Sequence, residues 1–350
     1  MSDLSANAID PGSTQLFQEA AQASDAVRLQ FERTHSAALA LGSALRTLKP
    51  RAVVTCARGS SDHAATFAKY LIETRTGVLT ASAAPSVSSV YGARQDMRDV
   101  LFLAISQSGR SPDLVSATAA AKQAGALVVS LVNAEGSPLA EVSDYALPLC
   151  AGPETSVAAT KSYIASLAAI VHLVAAWAQD DLLMDSLAVA PEQLRRSWDL
   201  DWSAAVPKLS AASSLFVVGR GVGLGIAQEA ALKLKETSGL HAEAFSSAEV
   251  RHGPQALLKE NFPALLFSQN DEAKEGVETL ASDLAARGVD VMLAGASVEG
   301  VTVLPSVAAH PAIQPMLLVQ SFYKLANAVA IARGFDPDRP PHLRKVTETL

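Results

Sequence analysis

The stretch VLFLAISQSGRSPD, residues 100–113, decides the fold. Its first six residues are apolar without interruption, the pattern of a short strand buried on both faces. The run stops at Ser106-Gln107-Ser108-Gly109. Ser111-Pro112-Asp113 then reads as an N-cap followed by a proline at the first helical position. A strand that passes straight into a helix is half of a parallel crossover unit. The same pattern stands upstream, where RAVVTCA (residues 51–57) ends in Gly59-Ser60-Ser61-Asp62 before helical spacing at Ala64, Phe67, Ala68 and Leu71. A third strand, 127–132, follows a turn at Gly125. Strands alternating with helices predict an α/β fold built on parallel sheets.

Working outward, an apolar helix over 156–177 closes this half, and Gln179-Asp180-Asp181 opens a link to helical text over 191–209. The pattern then returns. A strand over 215–219 runs into Arg220-Gly221, and another over 264–267 runs into Ser268-Gln269. Each pair lies 162 positions after its counterpart, Arg58-Gly59 or Ser106-Gln107 (220 minus 58, 268 minus 106). One offset at two strand ends predicts an internal duplication. The second copy carries Asn270-Asp271 where the first has Ser108-Gly109, so the copies have diverged and one retains the anion-binding turn. The expected organisation is a flexible lead-in over 1–25, subdomains over 26–182 and 183–334, and a tail over 335–350 that covers the active site.

Of 350 residues, 49% are hydrophobic and only 5% aromatic, which suits helices on sheets better than a β-sandwich. The net charge is -7 and the 28 basic residues are scattered, so no nucleic-acid footprint is present. Cys56 and Cys150 form neither a disulfide framework nor a zinc motif, and the first residues read as neither a signal peptide nor a lipidation site. A cytoplasmic protein without metal or cofactor is expected. The most lipid-like stretch, 167–178, is too short to span a bilayer and contains His172, so it reads as a buried helix and no membrane partner is expected.

Two groups of residues carry chemistry. Hydroxyls and free backbone amides at Ser106, Gln107, Ser108, Gly109 and Ser111 suit a phosphate monoester, because a helix amino terminus offers unpaired N–H groups and the positive end of its dipole. Ser60 and Ser61 make a similar offer at the neighbouring strand end, where open parallel sheets bind ligands. Glu229, Lys233 and Glu236 share one helical face, a pattern that also describes a solvated ion-pair stripe. Beyond them, HAEAFSSAEVRHGP (241–254) concentrates His241, Glu243, Glu249 and His252 more densely than a connector needs. His252, before Gly253-Pro254, is placed for acid–base work. His35, His172 and His310 read as structural. The tail Pro340-Pro341-His342-Leu343-Arg344-Lys345 reads as a flap, with Leu343 and Val346 packing down and Lys345 turned into a cleft.

Five segments in order, RGSSDHA (58–64), ISQSGRSPD (105–113), AGPETSVAATKS (151–162), ALKLKETSGLHAEAFSSAEVRHGP (231–254) and HLRKVTETL (342–350), resemble the double sugar-isomerase (SIS) domain. That domain forms the isomerase half of glucosamine-6-phosphate synthase and the related stand-alone aminosugar-phosphate deaminases. The resemblance implies two flavodoxin-like αβα subdomains and a sugar phosphate as the small-molecule partner. It assigns the phosphate to Ser60, Ser61, Ser106, Gln107, Ser108 and Ser111, with Val157 lining the substrate and Lys233 beside it. It also makes Glu236 the proton-transfer acid/base, His252 the ring-opening group and Lys345 the tail amine, and it implies a homodimer in which the histidine reaches the neighbouring subunit's site. Two features depart from the synthase. Only a few dozen residues, none of them cysteine, precede the first half, so ammonia from glutamine is not expected, and Arg110-Ser111-Pro112 is closer to the deaminases. The expected reaction is D-glucosamine 6-phosphate plus water to D-fructose 6-phosphate plus ammonia. Galactosamine 6-phosphate, fructosamine 6-phosphate and a non-catalytic sugar-phosphate sensor are the alternatives.

Overall fold

The protein is described by a computed structural model over residues 9–345. Two five-stranded sheets carry it. The first contains β1 (Ala52–Cys56), β2 (Thr80–Ser82), β3 (Val100–Ser106), β4 (Leu127–Val132) and β5 (Tyr145–Pro148), in the order β2-β1-β3-β4-β5. The second contains β6 (Ser214–Gly219), β7 (His241–Ser246), β8 (Pro263–Phe267), β9 (Asp290–Ala294) and β10 (Thr302–Leu304), in the order β7-β6-β8-β9-β10 when read from the other edge. Every pairing is parallel, and helices flank both sheets as two SIS-type αβα subdomains. The duplication extends to register. Val54 pairs with Ala81 and Phe102, and 162 residues later (216 minus 54) Phe216 pairs with Glu243 and Ala264.

β3 and β8, central in their sheets, are buried at every position, which is why they read as unbroken apolar runs. A shared core joins the halves through the Lys161–Ala178 and Gln314–Ala332 helices. Both are long and apolar enough to cross a membrane by length and composition, and most of each is buried inside the fold. His172 sits in the first of them, 1% exposed.

The sequence expectations need three corrections. The described part of the 1–25 lead-in is helical at Gln15–Ala21, and the next helix, Ala23–Leu48, begins before position 26. Leu16, Ala20, Ala23 and Val27 are fully buried and recur at i, i+4, i+7 and i+11, one helical face that polar neighbours disguise. Position 183 falls inside the Asp181–Trp198 helix, so the second subdomain has no boundary there. The helix expected from 156 begins at Lys161, leaving 151–160 as a loop.

Candidate active site

In a sheet ordered 2-1-3-4-5, the crevice for ligands opens at the carboxyl ends of β1 and β3, where the chain switches direction. The turns after those strands are 58–61 and 106–111. The Arg58 guanidinium spans them, donating two hydrogen bonds to Asp113 Oδ2 at 2.9 and 2.7 Å. Within the second turn, Ser106 Oγ accepts from the Gly109 N–H at 3.0 Å and Ser108 Oγ from the Arg110 N–H at 3.3 Å. Gly109 has φ +62°, and a Cβ there would lie 2.2 Å from Ser137 Oγ, so the turn requires glycine. Ser111 occupies the N-cap position of the Pro112–Gln123 helix without a capping hydrogen bond and is half-buried. Arg110 is exposed.

The second subdomain supplies the charged face. Its Leu224–Ser238 helix packs on the Ser60–Thr76 helix at Gly225, where a Cβ would meet the His63 carbonyl oxygen at 2.6 Å. The contact puts Glu229 and Lys233 out of reach of water, with side chains 0% and 1% exposed, while Glu236 keeps 22%. This is no solvated stripe. Lys233 Nζ donates to Glu236 Oε2 and stands 3.6 Å from Glu229 Oε1. Glu229 in turn is paired with His63 Nδ1 at 3.1 Å and accepts from the Tyr323 hydroxyl at 3.1 Å. Ser60, expected at the phosphate, opens the Ser60–Thr76 helix that carries His63. Burial works against the Glu229 carboxylate, but Lys233, His63 and Ser60 outweigh it and hold the carboxyl below its usual range. Burial also opposes the Lys233 ammonium, yet its two carboxylate neighbours raise its pKa. Both therefore remain charged near neutral pH. Burial pushes the Tyr163 and Tyr323 phenols well above theirs.

A third part comes from the 151–160 loop and the tail. Glu154 accepts from the Thr160 N–H at 3.0 Å, the Ser162 N–H at 3.1 Å and the Ser162 hydroxyl at 2.6 Å. Its remaining partner is Lys345 Nζ at 3.1 Å. Burial disfavours the charged carboxylate here too, but the lysine and the three donors lower its pKa. Val157 lies half-buried in the same loop.

Lys233, Glu236 and Lys345 are thus drawn into polar networks, and Ser60, Ser61, Ser106, Gln107, Ser108 and Ser111 lie on the two strand-end turns. His252 is not joined to these networks. It is exposed on the turn after the Ser247–Val250 helix, its backbone N–H bonded to the Glu249 carbonyl at 2.9 Å. His241 and Glu243, read as part of a catalytic cluster, are exposed positions of the edge strand β7. Val346 lies outside the described residues. Cys56, with its thiol pushed up to about 12 by burial, is no nucleophile. Among the described residues, no three His, Cys, Asp or Glu side chains converge on a metal position.

The SIS domain model matches residues 48–176 and 208–296, one segment on each sheet and more than half of the chain. The chain belongs to the SIS family. Among curated relatives, this SIS chain is 34% identical over 307 residues to a glutamine–fructose-6-phosphate aminotransferase (isomerizing) of Aeropyrum pernix, covering 82% of the chain and 49% of the relative. It is 32% identical over 325 residues to that of Symbiobacterium thermophilum, covering 86% and 52%. The chain therefore spans about half the length of the curated relatives it matches. Among solved structures, a Silicibacter pomeroyi DSS-3 protein provisionally described as a phosphosugar isomerase superposes with TM-score 0.89 at 42% identity, over 93% of this chain and 100% of that one. The C-terminal domain of glucosamine-fructose-6-phosphate aminotransferase from Francisella tularensis gives 0.85 at 26%, over 94% and 98%. Glucosamine-6-phosphate deaminase from Thermotoga maritima shares the fold, at 0.77 and 24%, over 96% and 100%.

The sequence reading missed His63, Glu154 and Tyr323. His63 stands within RGSSDHA four positions after Gly59, and Glu154 within AGPETSVAATKS, so the motifs contained both. Neither has a charged partner at helical spacing, and the charged group each one pairs with comes from a distant part of the chain. Tyr323 carries no local signal at all.

Proposed function

We propose that this SIS chain is a cytoplasmic aminosugar-phosphate deaminase/isomerase that converts D-glucosamine 6-phosphate and water to D-fructose 6-phosphate and ammonia. The observation that carries the reading is the Glu229–Lys233–Glu236 network: two members buried and charged, the third reaching the surface. A structural ion pair has no need of a partly exposed second carboxylate, whereas a proton shuttle does.

On this reading the phosphate rests on hydroxyls and amides of residues 106–111 and of Ser61, which orients the sugar without touching the reacting carbons. His252, exposed and detached from its own chain's network, serves the neighbouring subunit of a homodimer and helps to open the pyranose. The Glu236 carboxylate, fixed by the Lys233 ammonium, takes the proton from C2 to form an enolamine, exchanges it with solvent through its partly exposed face, and delivers a proton to C1. The ketimine so formed at C2 takes up water and releases ammonia, with the Lys345 amine alongside. Hydrolysis rather than amination is favoured by the Arg110-Ser111-Pro112 turn, which resembles the stand-alone deaminases.

General acid–base steps contribute about 10²- to 10⁴-fold each. Glu236→Gln should therefore abolish measurable ammonia release from glucosamine 6-phosphate, while calorimetry still detects binding of the sugar phosphate. Full turnover in that variant would remove Glu236 as the base.

A further inference from the structure

The Gln15–Ala21 helix touches both the loop that carries Glu154 and the tail that carries Lys345. At one end Glu19, 7% exposed, accepts three hydrogen bonds from the two residues after Glu154. Its Oε1 takes the Thr155 N–H at 2.5 Å and the Thr155 hydroxyl at 2.9 Å, and its Oε2 takes the Ser156 N–H at 3.1 Å. At the other end Asp338, in the tail, accepts the Gln15 N–H at 2.6 Å and the Leu16 N–H at 2.9 Å, two donors that a helix start leaves without partners. Seven residues later (345 minus 338) the tail reaches Lys345 and its bond to Glu154. The path closes on itself: Glu19, the 154–156 backbone, Glu154, Lys345, the tail, Asp338 and the helix again.

The helix cannot drift inside this circuit. Thr14 Oγ1 donates to Asn327 Oδ1 at 2.7 Å and Asn327 Nδ2 to the Pro11 carbonyl at 2.9 Å, which fasten its start to the Gln314–Ala332 core helix. Beyond its end, Gln22 Oε1 accepts from Lys161 Nζ at 2.7 Å, beside the same loop. Bonds to ionised carboxylates are the stronger kind, and in a closed circuit each restricts the geometry of the next. A helix that only covered the core would need its apolar face, Leu16 and Ala20, and no carboxylate turned onto a loop backbone.

We infer that Glu19 and Asp338 are positioning residues for Lys345, acting through the 154–156 loop and through the tail to fix where the amine stands. The kinetic part of this inference rests on the deaminase reading; the geometric part does not. For the geometry, lysines of the full chain are acetylated with N-hydroxysuccinimidyl acetate and followed by mass spectrometry, with exposed Lys69 as reference. Losing a charge-assisted bond should raise labelling of Lys345 about tenfold in both Glu19→Gln and Asp338→Asn, with Lys69 unchanged. Unchanged Lys345 labelling in either folded variant would overturn the inference. For the kinetics, kcat for ammonia release from glucosamine 6-phosphate should fall about tenfold in each variant with KM within about twofold, and neither substitution should add anything in a Lys345→Ala background. A further loss in that background, with the melting temperature unaltered, would contradict action through Lys345. If the wild-type chain releases no ammonia, the deaminase reading fails and the labelling result still decides the positioning role.

Discussion

Thr34 has one hydroxyl proton, and it goes to the Gln30 carbonyl at 2.8 Å. Toward His172 Nδ1, 3.4 Å away, Thr34 can therefore only accept, which puts the imidazole proton on Nδ1 and leaves Nε2 to accept from His35 Nδ1 at 3.1 Å. A second proton on His172 has no place to go. Burial, followed by the neighbouring His35, lowers its pKa from 6.5 to about 4. The unfolded chain then binds the extra proton first, so this histidine's stabilisation is complete above pH 6.5 and is lost as pH falls toward 4. Urea denaturation between those limits should show a loss of up to about 3 kcal/mol that His172→Leu abolishes, and a flat wild-type profile would refute the neutral His172. The same scale explains which site residues can be read from sequence. Lys233 and Glu236 stand three apart on a helix, so their pairing is local. Glu154 has its lysine 191 positions away (345 minus 154), and no spacing rule reaches that far.

Between elements, the site depends on how closely the Ser60–Thr76 and Leu224–Ser238 helices approach. Gly225 lies opposite the backbone of His63, with Phe67 N a further 3.1 Å neighbour of a would-be Cβ, so neither contact can yield by a side-chain rotation. Gly225→Ala should push the helices apart and cost about 1–3 kcal/mol of stability by overpacking. Because His63 and Glu229 meet across the same seam, ammonia release should fall along with the urea midpoint, and an alanine variant with wild-type midpoint and rate would show the seam to be loose. Apolar runs announce β3 and β8 because both faces of a central strand are buried. The edge strands β2, β5 and β10 are short, and β7 is partly exposed along most of its length, so composition hides them. In β7 the alternation of outward His241 and Glu243 with inward Ala242 is a strand period that the density of titratable groups concealed.

At the level of the whole molecule, two copies of one topology have taken different roles. In the second copy Gln269 Nε2 bonds the Arg220 carbonyl at 2.8 Å and the Asp271 carboxylate at 3.0 and 3.1 Å, while Asp271 Oδ1 accepts from the Ala273 N–H at 2.9 Å. Asp271 stands where the first copy has Gly109 (271 minus 162), so the second turn carries a carboxylate where the first has no side chain. A phosphate would be repelled by that carboxylate. The 162-residue offset makes the duplication legible in the sequence, because strand ends and turn residues keep their spacing under divergence. What stayed hidden is the meeting of the halves, since His63, Glu229 and Tyr323 converge only when both sheets are packed. On the proposed reading, a carboxylate on the second copy works on a sugar held by the first. Turnover of glucosamine 6-phosphate in D₂O, followed by NMR, tests it most directly. The account predicts one ammonia for each fructose 6-phosphate, with solvent deuterium at C1. Fructose 6-phosphate free of deuterium under conditions of slow turnover, or no ammonia at all, would contradict it.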